Sequence, residues 1–256
     1  MRDAELITAA LEMAGKIALT FFRNNPKVWN KEDGSQLTEA DVAVNDAVHA
    51  LIRGECPTDG WLSEEGPDDH TRTTKQRCWI FDPIDGTGSF ALGRNEWCIG
   101  LCLVENGTPT SAGVLHPTTD KLFTAQIGSA TKINNIATFV TDGDDLTGAR
   151  IASRPSALRR IADPTSTPYD VRHTPQISRL ALLAEGAVDV VASFGRKHDW
   201  DIAPGALLVT QAGGKVTDEM GRPMVFNQMI PSQNGLVAAG VSRHAAVLKA
   251  MENPKR

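Results

Sequence analysis

The amino-acid sequence predicts a mixed α/β protein in which an α+β half is followed by an α/β half. Apolar residues first recur at helical spacing, and from Gly60 onward they occur in short runs separated by turn residues. After residue 145, strand-like and helix-like segments alternate to the end of the chain. These patterns divide the chain into residues 1–145 and 146–256, and the absence of a low-complexity linker indicates one compact unit.

The first half begins with two amphipathic helices. Apolar residues from Leu6 onward predict a first helix of about 20 residues that ends before Pro26. A polar hairpin or loop is expected over residues 27–37. Thr38 then begins the series Thr-Glu-Ala-Asp, an N-cap followed three residues later by an acid, which predicts a second helix that ends near Gly54.

Strands and helices of the remaining chain follow from shorter patterns. In the first half we expect strands at 61–63, 78–81, 97–104, 113–115, 121–125 and 130–133. In the second half we expect strands at 150–152, 169–172, 188–192 and 236–239, and helices at 155–162, 176–185, 202–212 and 243–251.

Composition and charge narrow the possible functions. The 256 residues include 26 Lys+Arg and 31 Asp+Glu, a formal net charge of −5. This charge argues against nonspecific nucleic-acid binding, which needs a basic surface. No apolar run approaches the roughly 18 residues of a membrane-spanning helix, and the first residues lack the pattern of a signal peptide. We therefore expect a soluble cytoplasmic protein whose four cysteines are reduced.

The run Asp-Pro-Ile-Asp-Gly-Thr at residues 82–87 carries the strongest chemical signal. It follows a buried strand, and its proline makes the chain turn at once, so Asp82 and Asp85 can converge with the Ile84 carbonyl between them. These hard oxygen ligands suit Mg²⁺ or Mn²⁺ rather than zinc. Gly86 lets the backbone approach a ligand closely. The alternative interpretation is a strand-to-turn corner with solvated aspartates.

Two further acidic corners accompany this run. Glu64 and Glu65 follow the preceding buried strand, and the series Asp-Trp-Asp at residues 199–201 opens a helix downstream. Each corner alone is more typical of a polar loop or of a helix N-cap. Three acidic corners that meet are unfavourable unless cations neutralise them, so their joint occurrence favours a metal site.

Taken in this order, and with Thr38 to Asp41 near the start, the motifs resemble the inositol monophosphatase family of Mg²⁺-dependent, Li⁺-sensitive phosphatases over essentially the whole chain. The resemblance implies a five-layered αβαβα sandwich and two or three Mg²⁺ ions, for which Mn²⁺ could substitute. The implied metal ligands are Glu64, Asp82, the Ile84 carbonyl, Asp85 and Asp201. It also implies that Glu64 and Thr87 orient the attacking water and that Asp41 lies near the site, as a ligand of a third metal or as a supporting acid.

Substrate contacts are expected from two parts of the chain, residues 85–88 and residues 178–201. The backbone N–H groups of residues 86–88 would hold phosphate oxygens. The full set expected to contact substrate is Asp85, Gly86, Thr87, Gly88, Ser178, Arg179, His198 and Asp201. Residues 196–198, Arg-Lys-His, could meet a second phosphate, although a solvated turn is the plainer interpretation.

The choice of substrate rests on a finer resemblance. Residues 181–186, Asp189 and Phe194 are similar to bacterial 3′(2′),5′-bisphosphate nucleotidases of the CysQ type, which hydrolyse 3′-phosphoadenosine 5′-phosphate (PAP). At Phe194, inositol-specific members have a glutamate. We therefore expect PAP hydrolysis, with inositol 1-phosphate and then histidinol phosphate as alternatives, and a noncatalytic binding or regulatory module as the non-enzymatic alternative. The resemblance also suggests a homodimer that acts on small molecules and has no nucleic-acid or membrane partner.

Overall fold

Two large β-sheets lie between three layers of helices in the computed structural model, which describes residues 2–32, 34–161, 167–168, 171 and 173–252. Three hydrophobic clusters hold the layers together in the order α, β, α, β, α. The mixed α/β class and the five-layered arrangement implied by the resemblance are confirmed. Asp33, in the predicted hairpin, lies outside the described residues.

The first helical layer contains α1 (Asp3–Phe21) and α2 (Glu39–Glu55), which pack on one face of the larger sheet. A hairpin of β1 (Val28–Asn30) and β2 (Gln36–Thr38) connects them. The Thr38 backbone N–H donates to the Asp41 carboxylate at 2.8 Å, and the Asp41 N–H donates to the Thr38 hydroxyl at 3.4 Å. This reciprocal cap fixes the Asp41 carboxylate at the start of α2.

The larger sheet has seven strands in sequence order. They are β3 (Gly60–Ser63), β4 (Arg77–Asp85), β5 (Cys98–Glu105), β6 (Thr108–His116), β7 (Lys121–Gln126), β8 (Lys132–Ile133) and β9 (Ile136–Ala137). β3 and β4 are parallel, whereas the later neighbours pair antiparallel. The connection between β3 and β4 includes a 3₁₀ turn at Thr71–Thr74, and both strands end at one edge, where α3 (Thr87–Ala91) follows β4.

The middle layer consists of α5 (Gln176–Ala184) and α6 (Asp199–Gln211), which lie between the two sheets. Buried residues of both predicted halves share this core, among them Ile80 of β4 and Leu180 of α5. The division of the chain near residue 145 stays a prediction.

The smaller sheet has the strand order β11-β10-β12-β14-β13. Its strands are β10 (Arg150–Ser153), β11 (Thr167–Pro168), β12 (Val190–His198), β13 (Gly214–Thr217) and β14 (Ser232–Gly240). The last helical layer, α4 (Pro155–Ile161) and α7 (Val241–Glu252), covers its outer face. Among the described residues, no helix has the length and apolarity needed to cross a bilayer.

Several elements differ from the prediction, among them α3 and β9, which were not predicted. β12 continues to His198, because a bulge at Gly195 (φ 79°) lets the strand resume pairing with β14 after Ser193. As a result, α6 begins at Asp199 rather than at residue 202. β13 was not predicted, and the strand expected at 169–172 lies outside the described residues except for residue 171.

Candidate active site

Three carboxylates converge where β4 ends and α6 begins. Asp82 and Asp85 lie at the end of strand β4, and Asp201 lies in the first turn of helix α6. One oxygen of each carboxylate lies within 4.8 Å of the others. Glu64 follows the parallel neighbour β3, and its backbone N–H donates to the Phe81 carbonyl at 3.3 Å. The edge shared by β3 and β4 therefore brings the predicted acidic corners together.

Asp82 belongs to the acid cluster, the group formed by Glu64, Asp82, Asp85 and Asp201. Its side chain is fully buried, and neither carboxylate oxygen has a hydrogen-bond partner among the described residues. Burial raises its pKa well above the ordinary value, and the charges of Glu64, Asp85 and Asp201 raise it further. Buried carboxylate oxygens normally have partners, so this orphaned pair fits a cation held by the oxygen donors around it.

Asp85 and Asp201 are each oriented by the start of a helix. The Ile177 N–H at the beginning of α5 donates to Asp85 Oδ2 at 2.6 Å, and the His198 N–H donates to Asp201 Oδ2 at 3.3 Å. Burial raises the pKa of both carboxyls, for Asp201 to about 7. Oδ1 of each carboxylate takes no part in these bonds, which leaves a donor atom for a cation.

Thr87 and Asp41 form a second polar arrangement beside the cluster. The Thr87 hydroxyl lies 3.2 Å from Asp41 Oδ1 and 3.0 Å from the Ile84 carbonyl oxygen. It has one hydrogen, so a cation on the Ile84 carbonyl would direct that hydrogen to Asp41. Thr38 occupies the other Asp41 oxygen through its N–H and hydroxyl. Burial raises the Asp41 pKa to about 6. Of the two roles expected for Asp41, this arrangement fits the supporting acid.

Lys31 reaches the site from the hairpin and was missed by the sequence reasoning. Its Nζ lies 2.9 Å from Glu64 Oε1 and also binds Glu65. Burial alone would lower the Lys31 pKa, but the bonds and charges of the two glutamates raise it overall. Burial raises the Glu65 pKa to about 7. A lysine within a polar hairpin gives no local signal of this contact.

A cavity of about 610 Å³ opens beside Asp85 and Asp201. Gly86 and Gly88 of the predicted phosphate-binding turn line it, and Gly86 adopts φ 101° where a Cβ would lie 2.9 Å from the Glu96 carbonyl oxygen. Only glycine fits that position without strain. Its wall also carries five basic side chains, namely Arg94, Arg154, His173, Arg179 and Lys197.

Three of these side chains, Arg154, Arg179 and Lys197, influence one another electrostatically. Burial lowers the Arg179 pKa to about 10, with the Arg154 charge as the next cause. Burial also lowers the Lys197 pKa, Asp201 opposes this, and Arg154 and Arg179 add to the lowering. Arg179 bonds to the carbonyls of Thr174 and Val171 rather than to a carboxylate. Mutually repelling cations that have no carboxylate bonded to them among the described residues favour an anion beside them.

Arg94 and His173 form a further pair on the cavity wall that sequence reasoning also missed. Arg94 Nη1 lies 3.0 Å from His173 Nδ1. The amide of Gln176 faces the same cavity: Ser193 donates to its oxygen at 2.6 Å, and its buried nitrogen has no partner among the described residues. That nitrogen is a further donor at the cavity wall.

Two predicted substrate contacts lie elsewhere. Ser178 lines a second cavity of about 270 Å³, where its hydroxyl lies 2.9 Å from His116 Nε2. Its neighbour Arg179 lines the first cavity instead, on a side of α5 turned about 100° from Ser178. The His198 ring stacks on Trp200, with ring centroids 4.5 Å apart, while Lys197 lines the first cavity.

Comparison with known proteins agrees with this geometry. The model of the inositol monophosphatase family matches residues 3–255. The chain resembles the inositol monophosphatase structure of Thermotoga maritima, with a TM-score of 0.86 and 24% identity, covering 98% of this chain and 97% of that one. At this identity, the structural likeness supports the fold alone.

Curated relatives carry different activity names. A Streptomyces griseus protein named glucose-1-phosphate thymidylyltransferase is 35% identical, covering 86% of each chain. The histidinol-phosphatase of Mycobacterium tuberculosis is 29% identical, covering 82% of this chain and 85% of the relative. The 3′(2′),5′-bisphosphate nucleotidase CysQ of Escherichia coli K12 is also 29% identical, covering 78% and 82%. These names agree on phosphorylated small molecules and differ on which one.

Proposed function

The chain belongs to the inositol monophosphatase family, whose members are metal-dependent phosphatases, and on that premise we propose that it removes the 3′-phosphate of PAP. The reaction converts PAP and water to adenosine 5′-phosphate (AMP) and inorganic phosphate. The observation that carries this choice is the group of cations beside the acid cluster, since PAP brings a second phosphate for them to bind.

We propose that Mg²⁺ is the metal and that Glu64, Asp82, the Ile84 carbonyl, Asp85 and Asp201 hold it. The orphaned oxygens of Asp82 and the convergence of Asp82, Asp85 and Asp201 support this assignment, while Glu64 and the Ile84 carbonyl enter it from the family resemblance. When bound, Mg²⁺ would neutralise the phosphate dianion, lower the pKa of water and stabilise the leaving alkoxide.

Residues of the chain would then orient the reactants. The Thr87 hydroxyl donates to Asp41, which leaves its oxygen lone pairs free to accept a hydrogen bond from the attacking water. The Glu64 carboxylate would accept the other hydrogen of that water. Gly86 and Gly88 leave room for phosphate oxygens to approach the backbone at the start of α3.

The second phosphate would bind Arg154, Arg179 and Lys197. A substrate with one phosphate leaves these cations without a bound anion, because Asp85 and Asp201, the described acids whose charges act on Arg179 and Lys197, are assigned to the metal. Phe194 also lines this wall, where the sequence resemblance places a glutamate in inositol-specific members. Both features favour a bisphosphorylated nucleotide over inositol 1-phosphate. Homodimer formation and a cytoplasmic location stay predictions.

The test is a comparison of kcat/KM on PAP, inositol 1-phosphate, histidinol phosphate and glucose 1-phosphate at saturating Mg²⁺. We expect the highest value on PAP. A higher value on any of the other three would overturn the choice of PAP. Failure to hydrolyse any of the four, together with an absence of Mg²⁺ binding by calorimetry, would favour the noncatalytic module instead.

A further inference from the structure

We propose that Phe194 binds the nucleobase of the substrate by stacking, an inference that rests on the proposed function. Phe194 lies in β12 just before the bulge at Gly195 and is one of the residues that line the large cavity. On the same strand, Lys197 lines that cavity too. A base on Phe194 and a phosphate on Lys197 would therefore belong to one substrate.

Arg160 holds the Phe194 ring in place. Its guanidinium carbon lies 3.9 Å from the ring centroid, a cation–π distance. Glu219 lies 3.9 Å from the same guanidinium, and the ring packs against the outer hydrophobic cluster of the smaller sheet. Arg160 covers one face of the ring, and the inferred contact is a base stacked on ring surface that these neighbours leave open. A ring fixed before binding loses little conformational entropy when a ligand stacks on it.

The chemistry of this position favours a planar aromatic ligand. A phenyl ring offers no hydrogen bond to the hydroxyls of inositol, but it stacks on a purine without desolvating a polar group of its own. Leu92, which is 67% exposed, adds an apolar side chain to the cavity lining. Aromatic stacking on a base typically changes affinity by about tenfold or more.

Arg154 and Lys197 place this position within reach of the second phosphate. Arg154 directly precedes α4, the helix that carries Arg160, so the segment that supplies a phosphate ligand also supports the ring. The cavity of about 610 Å³ falls within the range expected for a site that holds a small-molecule ligand.

The experiment compares wild type, Phe194→Ala, Phe194→Tyr and the control Phe139→Ala, in which an exposed phenylalanine away from the lining residues is removed. Each is assayed for kcat/KM on PAP and on its abasic analogue, 1-deoxyribose 3,5-bisphosphate. Calorimetry gives the Kd of AMP and of ribose 5-phosphate, so base recognition is measured without turnover. Thermal unfolding confirms that each variant is folded.

We expect Phe194→Ala to lower kcat/KM on PAP by about tenfold or more and to weaken AMP binding by a similar factor, with little change for the two ligands without a base. Phe194→Tyr, which keeps an aromatic ring, should retain PAP hydrolysis, and Phe139→Ala should match wild type. Equal losses on PAP and its abasic analogue, or no loss on PAP, would overturn the inference.

The two proposals fail separately. A wild type that prefers inositol 1-phosphate to PAP contradicts the proposed function. The role of Phe194 is contradicted instead when wild type binds AMP no more tightly than ribose 5-phosphate, or when Phe194→Ala leaves the ratio of these two affinities unchanged.

Discussion

Asp41→Asn should change the pH dependence of stability in a direction that the site geometry fixes. Burial raises the Asp41 pKa from 3.8 to about 6. The folded state therefore holds this proton more tightly than the unfolded state, and the stability that it contributes is present at low pH and lost as pH rises toward 6. A shift of roughly two units corresponds to about 3 kcal/mol, at about 1.4 kcal/mol per unit.

The assay is urea denaturation in EDTA at pH values from 4 to 7.5, with the free energy of unfolding measured for wild type and variant. His116 and His244, whose pKa values burial lowers to about 4, titrate in the opposite sense over this range. Subtracting the wild-type curve from the variant curve removes them. Loss of hydrogen bonds to Thr38 and Thr87 adds a constant cost to the variant.

The difference should move in favour of Asp41→Asn by about 2.5 kcal/mol between pH 4 and 7, since part of the full shift is already spent at pH 4. Saturating Mg²⁺ should reduce this change, because a nearby cation lowers the Asp41 pKa toward its ordinary value. A difference that stays constant with pH, or that moves in favour of wild type as pH rises, would refute the electrostatic account of Asp41.

Three further substitutions test the roles proposed at the site. Thr87→Ala should lower kcat by about 100-fold or more with little change in KM, because it removes a hydroxyl that orients the water, whereas Thr87→Ser should retain most activity; equal losses in both would contradict this role. Lys31→Met should tighten Mg²⁺ binding by about fivefold in a calorimetric titration, because Lys31 Nζ lies 2.9 Å from Glu64 and competes with the metal for that carboxylate. Weaker Mg²⁺ binding by the variant would contradict this competition. Lys197→Met should lower kcat/KM on PAP by about tenfold at low salt, whereas kcat/KM on adenosine 3′-phosphate should change by less than about twofold. Lys197→Arg, which keeps the charge, is the control. An equal loss on both nucleotides would exclude contact between Lys197 and the 5′-phosphate.

Much of the fold was predictable because its signals are local. Helical spacing and the Thr38 cap mark α2, and the turn at residues 82–87 places two carboxylates at the end of a buried strand whatever the rest of the chain does. The end of β12 was harder to predict than its beginning. Phe-Gly-Arg-Lys-His reads as a turn, and only pairing with β14 on both sides of the bulge extends the strand through Lys197.

The cationic wall could not be predicted in full, because its members come from separate parts of the chain. Arg94 follows α3, Arg154 follows β10, and His173 precedes α5, and each in isolation resembles a solvated charge. Lys31 meets Glu64 through a contact that spans 33 residues. Such contacts depend on tertiary packing, which no local pattern records.

The most direct test of the central claim, that the buried acid cluster is a metal-dependent phosphatase centre, is the rate of PAP hydrolysis by Asp82→Asn at saturating Mg²⁺. Asp69→Asn, at an exposed aspartate in the loop between β3 and β4, is the matched control. We expect Asp82→Asn to lose at least about 1000-fold in kcat while its circular dichroism spectrum stays unchanged, and Asp69→Asn to match wild type. Near-wild-type hydrolysis by Asp82→Asn would contradict the claim.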